Sequence, residues 1–286
     1  MNTRRNFLEA AAGTAASLAS PGLRAQAPPL KNLPKIDLHT HLATSPAVMF
    51  KLQKEGIPAA CDYVLRRMDE HGVEKAVLVP VEPIMQTVHY EEAHRLHPGR
   101  LLFAASTMVR PLDAELQTLK KWRDLGAVAL KMNPLTYDPK DPAAERIIFE
   151  AVKLGLPVFF HHQNFPPEVP EIIYHVATQH PEGTFVVIHF GGIFGYQQVL
   201  PLAALLPNVY LETSVAFSHL VRSPLRPQLE YFHRLSRNRS GFSKVVFGSE
   251  FVDSYTDILG ALAEMNLEAG LLAEVLSGNA KKILKM

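Results

Sequence analysis

Only one cysteine, Cys61, occurs in 286 residues. No intramolecular disulfide is possible, and no cysteine-based zinc ribbon or iron–sulfur cluster can be assembled. Charge of one sign is missing too: 29 Lys+Arg stand against 28 Asp+Glu, a formal +1. Such a chain offers no electrostatic footprint for nucleic acid or an anionic membrane. Nowhere do about 18 uninterrupted apolar residues occur, so no segment reads as a transmembrane helix. Internal repeats and low-complexity linkers are absent after Pro29, and no Gly-x-Gly-x-x-Gly follows the first strand-like run. What is present is a globular composition, 47% hydrophobic and 20% charged, long enough for one large domain. Histidine is plentiful, with 13 residues. Any metal bound here must be held by imidazole and carboxylate, a donor set suited to zinc, manganese or iron.

Residues 1–27 read as an address. Arg4-Arg5 precede Asn6-Phe7-Leu8, an Ala-rich run covers 10–20, Pro21-Gly22 breaks it, and Ala25-Gln26-Ala27 is a small-x-small cleavage site. That order resembles a twin-arginine export signal; a basic helix belonging to the fold is the competing reading. Arg4, Arg5 and Arg24 against Glu9 place +2 in this segment, so residues 28–286 carry −1. The expectation is one periplasmic domain, 28–286, exported folded and without stable membrane association.

Beyond residue 35, short apolar runs alternate with amphipathic segments. The runs are 36–41, 76–81, 101–108, 127–132, 158–161, 184–190, 209–212 and 245–250. Each is strand-length and rich in β-branched or aromatic residues, as parallel strands buried on both faces require. Helical patterns lie between them at 62–70, 113–125, 143–154 and 171–179, several ending in Gly as helix C-caps do. Eight strands alternating with helices over about 250 residues is the rhythm of a (β/α)8 barrel. A doubly wound open sheet is the structural rival, without its usual Gly-rich turn.

In such barrels the working groups sit where strands end. The first run, Lys35-Ile36-Asp37-Leu38-His39-Thr40-His41, alternates so that Asp37, His39 and His41 share a face. The fifth ends in His161-His162, of which only one can face the axis. The sixth ends in His189-Phe190-Gly191-Gly192, and the eighth delivers Glu250. These groups converge only if the barrel closes. Lys131, ending the fourth run, reads as a carbamate bridge between two metals, an anion anchor, or a lysine satisfied by an interior carboxylate. Arg110 and Asn133 follow strands three and four, Gln163 and Asn164 strand five. Arg110 suits a bidentate grip on a substrate carboxylate or a solvated surface position. Glu82, Glu212 and His219 are weaker candidates.

Together these segments resemble the amidohydrolase superfamily, in its amidohydrolase-related branch of decarboxylases and lactonases. The resemblance rests on Ile36-Asp37-Leu38-His39-Thr40-His41, Leu156-Pro157-Val158-Phe159-Phe160-His161, Val187-Ile188-His189-Phe190-Gly191-Gly192 and Val246-Phe247-Gly248-Ser249-Glu250. It is supported by Gly278-Asn279-Ala280-Lys281-Lys282-Ile283-Leu284. It implies a single divalent ion, zinc first and manganese as alternative, ligated by His39, His41, His161 and Glu250. It also implies that His189 polarises the substrate or meets metal-bound water, and that Glu250 doubles as general base. His161 is chosen over His162 by the family's position for this ligand. Glu250 stands where the family has Asp, one methylene shorter, which shifts ligand geometry and base position alike. Three readings follow. One is a metal-dependent hydrolase of a small amide, ester or lactone, with Arg110, Lys131 and Asn133 binding substrate. The second is a metal-dependent decarboxylase of a small carboxylated aromatic or enol acid. The third is a non-catalytic metal- or ligand-binding barrel. The partner expected is a small molecule, and a homodimer is an open expectation.

Overall fold

Lys35 to Thr40, all buried, form the first strand of the computed structural model, which describes residues 30–42, 55–80, 86–134, 138–163, 167–235 and 241–286. The expected export signal lies outside these residues. Eight parallel strands stand in sequence order around one sheet: β1 Lys35–Thr40, β2 Val73–Leu78, β3 Leu101–Ser106, β4 Ala129–Met132, β5 Val158–His161, β6 Phe185–Ile188, β7 Val209–Glu212 and β8 Val245–Val246. The last strand closes onto the first. Leu38 N–H reaches Phe247 O at 2.9 Å, and the amides of Ser249 and Glu250 donate to His39 O at 3.0 and 2.9 Å. A parallel bridge between Thr40 and Glu250 completes the ring. The chain is a single-domain (β/α)8 barrel.

Alternation along each strand divides two cores. Ile36, Leu38, Val77, Leu102, Ala104, Ala129, Phe159, Val186 and Val246 pack in the barrel interior, where small Ala104 and Ala129 leave room for Phe159. Phe103, Phe160, Val187 and Leu211 face the helices instead. Among the described residues the helices are α1 Ile57–His71, α2 Thr87–Leu96, α3 Leu112–Asp124, α4 Pro142–Lys153, α5 Val169–Gln179, α6 Gly192–Leu205, α7 Ala216–Val221, α8 Arg226–Arg234, α9 Tyr255–Glu264, α10 Ala269–Ala273 and α11 Asn279–Leu284. None is long and apolar enough to cross a membrane.

Local chemistry explains their ends. In α1, Ile57, Ala60, Cys61, Val64 and Met68 recur at helical spacing and are buried, and Gly72 stops the helix at φ 67°, donating to Asp69 O and Met68 O. Asp141 caps α4 by accepting Ala143 N–H at 2.9 Å, with Pro142 in the first turn.

The strand boundaries depart furthest from the apolar runs at β2, β6 and β8. β2 begins at Val73, because Glu74 and Lys75 are strand residues that face outward and break the apolar pattern. β6 stops at Ile188: His189, Phe190, Gly191 and Gly192 all take positive φ, so the chain leaves the sheet in a left-handed turn. β8 shrinks to two residues, with 247–250 spending their amides on β1 and neighbouring groups instead.

Cys61 gives the first testable consequence. It is fully buried on α1, and burial, with Asp62 and Glu92 nearby, pushes its thiol up to about 12. Only the thiolate reacts, so at about pH 8 the native thiol is expected to resist a thiol-specific reagent. Unfolding in guanidinium should release one titratable thiol per chain. Rapid labelling of native protein would show that α1 opens.

Candidate metal centre

The centre begins with an irregularity in β1. Its register against β2 slips between Asp37 and Thr40, and a slip of one residue turns a side chain to the other face. The expected common face of Asp37, His39 and His41 is therefore corrected. Asp37 turns to β8, accepting Ser249 Oγ–H at 2.6 Å and the amides of Ser249 and His39 at 3.1 and 3.0 Å. Burial raises its carboxyl to about 7. It braces the β1–β8 joint and stays out of the cluster.

His39 and His41 meet each other, Nε2 to Nε2, at 3.1 Å. His41 Nδ1–H donates to the Val79 carbonyl at 2.5 Å. A carbonyl only accepts, so His41 Nε2 carries a bare lone pair. His39 Nδ1–H donates to Glu212 Oε2 at 3.0 Å, which leaves its Nε2 bare as well. Glu250 Oε2 faces the same point, 3.3 Å from His39 Nε2, 3.4 Å from His41 Nε2 and 3.4 Å from His189 Nδ1. That oxygen is buried and has no hydrogen-bond donor. Glu250 reaches it from a backbone with φ 67°, an unfavourable region for a side chain that costs about 1–3 kcal/mol and clusters at functional sites.

These distances fit a cation. Two imidazole lone pairs and a carboxylate oxygen repel at 3.1–3.4 Å unless a positive centre lies between them. Atoms bound to one ion at about 2.1 Å stand about 3.0–3.4 Å apart. His39, His189 and Glu250 form a group able to hold such an ion. Electrostatics agree: burial first, with Lys131 among the later causes, drives His39 and His189 well below the usual imidazole range, the neutral state a metal ligand needs. For Glu250 burial opposes ionisation, and positive charge at the positions of His189, His41 and His39 holds the carboxyl well below the usual range. With those rings neutral, a cation among them would supply that charge.

His161 packs edge-on against His189, ring centroids 4.7 Å apart, and its buried Nδ1 has no partner. Burial, then His189 and Lys131, push its imidazole down to about 2. His162 turns away, both ring nitrogens buried without partners, its pKa lowered by burial to about 4. Lys131, one residue before the end of β4, is buried, its ammonium donating to Pro80 O at 2.7 Å. Asn133, just past β4, is half-buried.

Arg110 is held elsewhere than the centre. Its Nε and Nη2 donate to both oxygens of Asp141 at 2.6 Å each, and the side chain is 63% exposed. A substrate carboxylate would have to displace the N-cap of α4. His219 is exposed on α7, and Glu82 and Asn164 lie outside the described residues. Glu212, a weaker candidate on sequence grounds, belongs at the centre. It is fully buried, and burial raises its carboxyl to about 8 against the hydrogen bonds of Ser214 and His189 N–H. Its contact with His39 spans 173 positions, so no local pattern signals it.

A closed eight-stranded barrel whose strand ends gather four imidazoles and a carboxylate defines the class: a TIM barrel with a side-chain cluster able to hold a metal ion at its C-terminal face. The chain belongs to the amidohydrolase family, whose profile matches residues 36–286. None of the curated proteins matches this sequence. Among solved structures it is similar to a probable 2-pyrone-4,6-dicarboxylic acid hydrolase from Acinetobacter baumannii with citric acid bound, at 20% identity and TM-score 0.63, covering 88% of this chain and 99% of that one. It is similar also to 2,6-dihydroxybenzoate decarboxylase from Rhizobium, at 17% identity and TM-score 0.59, with coverage of 88% and 99%. An amidohydrolase from Burkholderia multivorans with bound zinc stands at 15% identity and TM-score 0.62, again covering 88% and 99%. At these identities the likeness is one of fold.

Proposed function

We propose that the protein is an exported, periplasmic metal-dependent hydrolase acting on a small amide, ester or lactone. The observation that carries the reading is Glu250 Oε2, buried without a donor and facing the bare Nε2 atoms of His39 and His41 at 3.3 and 3.4 Å. His39, His41 and Glu250 would hold the ion, with His161 completing the set and zinc as its first identity. A divalent ion there supplies Lewis acidity, polarising a carbonyl and bringing the pKa of water down to about 7. Glu250 takes the proton of the attacking water and returns it to the leaving oxygen or nitrogen. Burial of His39, His41 and His189 limits competing solvent, and Lys131 adds positive potential at the cluster. Residues 28–286 form the working domain, and the partner is a small molecule.

A decarboxylase of a small carboxylated aromatic or enol acid is the competing reading, supported by the fold shared with 2,6-dihydroxybenzoate decarboxylase. One experiment separates them. Zinc-loaded protein is offered lactones, esters, amides and carboxylated phenols in isotopically labelled water. Hydrolysis puts one labelled oxygen into the product acid; release of carbon dioxide with an unlabelled aromatic product would overturn the hydrolase. Inertness toward every compound would favour the non-catalytic barrel.

A further inference from the structure

β7 supplies the centre with an acid whose hydrogen bonds settle how two of the imidazoles are protonated. Glu212 Oε2 accepts His39 Nδ1–H at 3.0 Å, His189 N–H at 3.1 Å and Ser214 Oγ–H at 2.7 Å. Glu212 Oε1 accepts Ser214 N–H at 2.5 Å. Ser214 has a single hydroxyl proton and spends it on Glu212. The lone pair it turns to His189 Nδ1, 2.9 Å away, therefore accepts a proton from that ring. One carboxylate thus acts on His39 directly and on His189 through a hydroxyl. Gly248 makes the seat: a Cβ there would stand 2.2 Å from Glu212 Oε1.

We propose that Glu212 and Ser214 are positioning residues that fix His39 and His189 as their Nδ1–H tautomers. His39 then offers Nε2 to the ion, and neutral His189 keeps a bare Nε2 that accepts a hydrogen bond from the attacking water, whose other proton goes to Glu250, rather than donating to the substrate carbonyl. This rests on the metal-site reading above. A cation in the cluster favours the ionised carboxylate that the two relays need. Carboxylates that orient a ligating imidazole typically contribute about 10–100-fold in metal affinity.

The test measures zinc affinity by chelator competition, together with thermal stability and steady-state kinetics. Glu212→Gln sets an amide N–H2 against donors on one side or the other and should weaken zinc about 10–100-fold. Ser214→Ala cuts the branch to His189, together with one donor on Glu212 Oε2 and a 3.4 Å contact to His39 Nδ1, but keeps the 3.0 Å bond between His39 and Glu212. It should leave zinc affinity unchanged and lower kcat about tenfold or more with KM unaltered, and Ser214→Thr should restore it. A purely structural role predicts a lower melting temperature with unaltered zinc affinity in Glu212→Gln. That result, or equal zinc losses in Glu212→Gln and Ser214→Ala, overturns the proposal. Should Glu212→Gln not fold, the kcat and KM of Ser214→Ala decide alone, and unchanged kcat sinks the relay. Wild-type protein that takes up no zinc, manganese or iron would sink the metal-site reading as well.

Discussion

The double variant His39→Ala/His41→Ala is expected to purify without a divalent ion and to lose kcat/KM by on the order of 10³-fold or more, the scale of removing a working group outright. Wild-type protein should carry about one ion per chain by elemental analysis. The two Nε2 atoms lie 3.1 Å apart and their Nδ1 atoms are committed to Val79 O and Glu212. Each ring is thus aimed and protonated for coordination, and no neighbouring side chain offers a substitute lone pair on β1. The variant also leaves Val79 O and Glu212 short of a donor inside the barrel, a cost of about 1–3 kcal/mol for each group. Loss of activity through unfolding must therefore be separated from loss of metal. Removing the ion from wild type with a chelator does so: turnover should vanish while circular dichroism stays native, and zinc should restore it. Full activity in a metal-free, folded double variant would end the metal-dependent reading.

Much of this was legible in the sequence because strand ends carry the chemistry. Apolar runs bounded by Gly place His39, His41, His161, His189 and Glu250 where eight parallel strands stop, and a closed barrel brings strand ends together. The hidden part is what depends on one-residue register or on distant pairing. The slip in β1 that sends Asp37 to Ser249 instead of the cluster leaves no trace in composition. α6 escapes a periodicity reading because its segment, Gly-Ile-Phe-Gly-Tyr-Gln-Gln-Val-Leu-Pro-Leu-Ala-Ala-Leu, is apolar nearly all round. Arg110 looks like a substrate clamp in isolation, and becomes the partner of Asp141 only when β3 and α4 are adjacent. Glu212 closes a run that reads as an ordinary buried strand; its function depends on His39 and Ser214 converging on it in space.

Gly248→Ala is expected to damage the centre as severely as losing a ligand, although residue 248 touches no ion. Its Cβ would fall 2.2, 2.5 and 2.6 Å from Oε1, Cδ and Cγ of Glu212, all well inside van der Waals contact. The backbone has no room to retreat, because Gly248 N–H donates to Thr213 Oγ1 at 3.1 Å and its carbonyl accepts from the same hydroxyl at 2.9 Å. Glu212 must move instead, and every donor on its two oxygens loses its acceptor. Overpacking of a tight core costs about 1–3 kcal/mol, and orphaned buried donors add about 1–3 kcal/mol more. A loss of about 2–6 kcal/mol in guanidinium denaturation is the expected outcome, with weakened zinc binding. The cause is checked by removing the obstacle. In a Glu212→Ala background the added methyl meets empty space, so the further cost of Gly248→Ala should fall below about 1 kcal/mol while zinc affinity stays poor. Equal costs in the two backgrounds would place the clash elsewhere and detach Gly248 from the seating of Glu212.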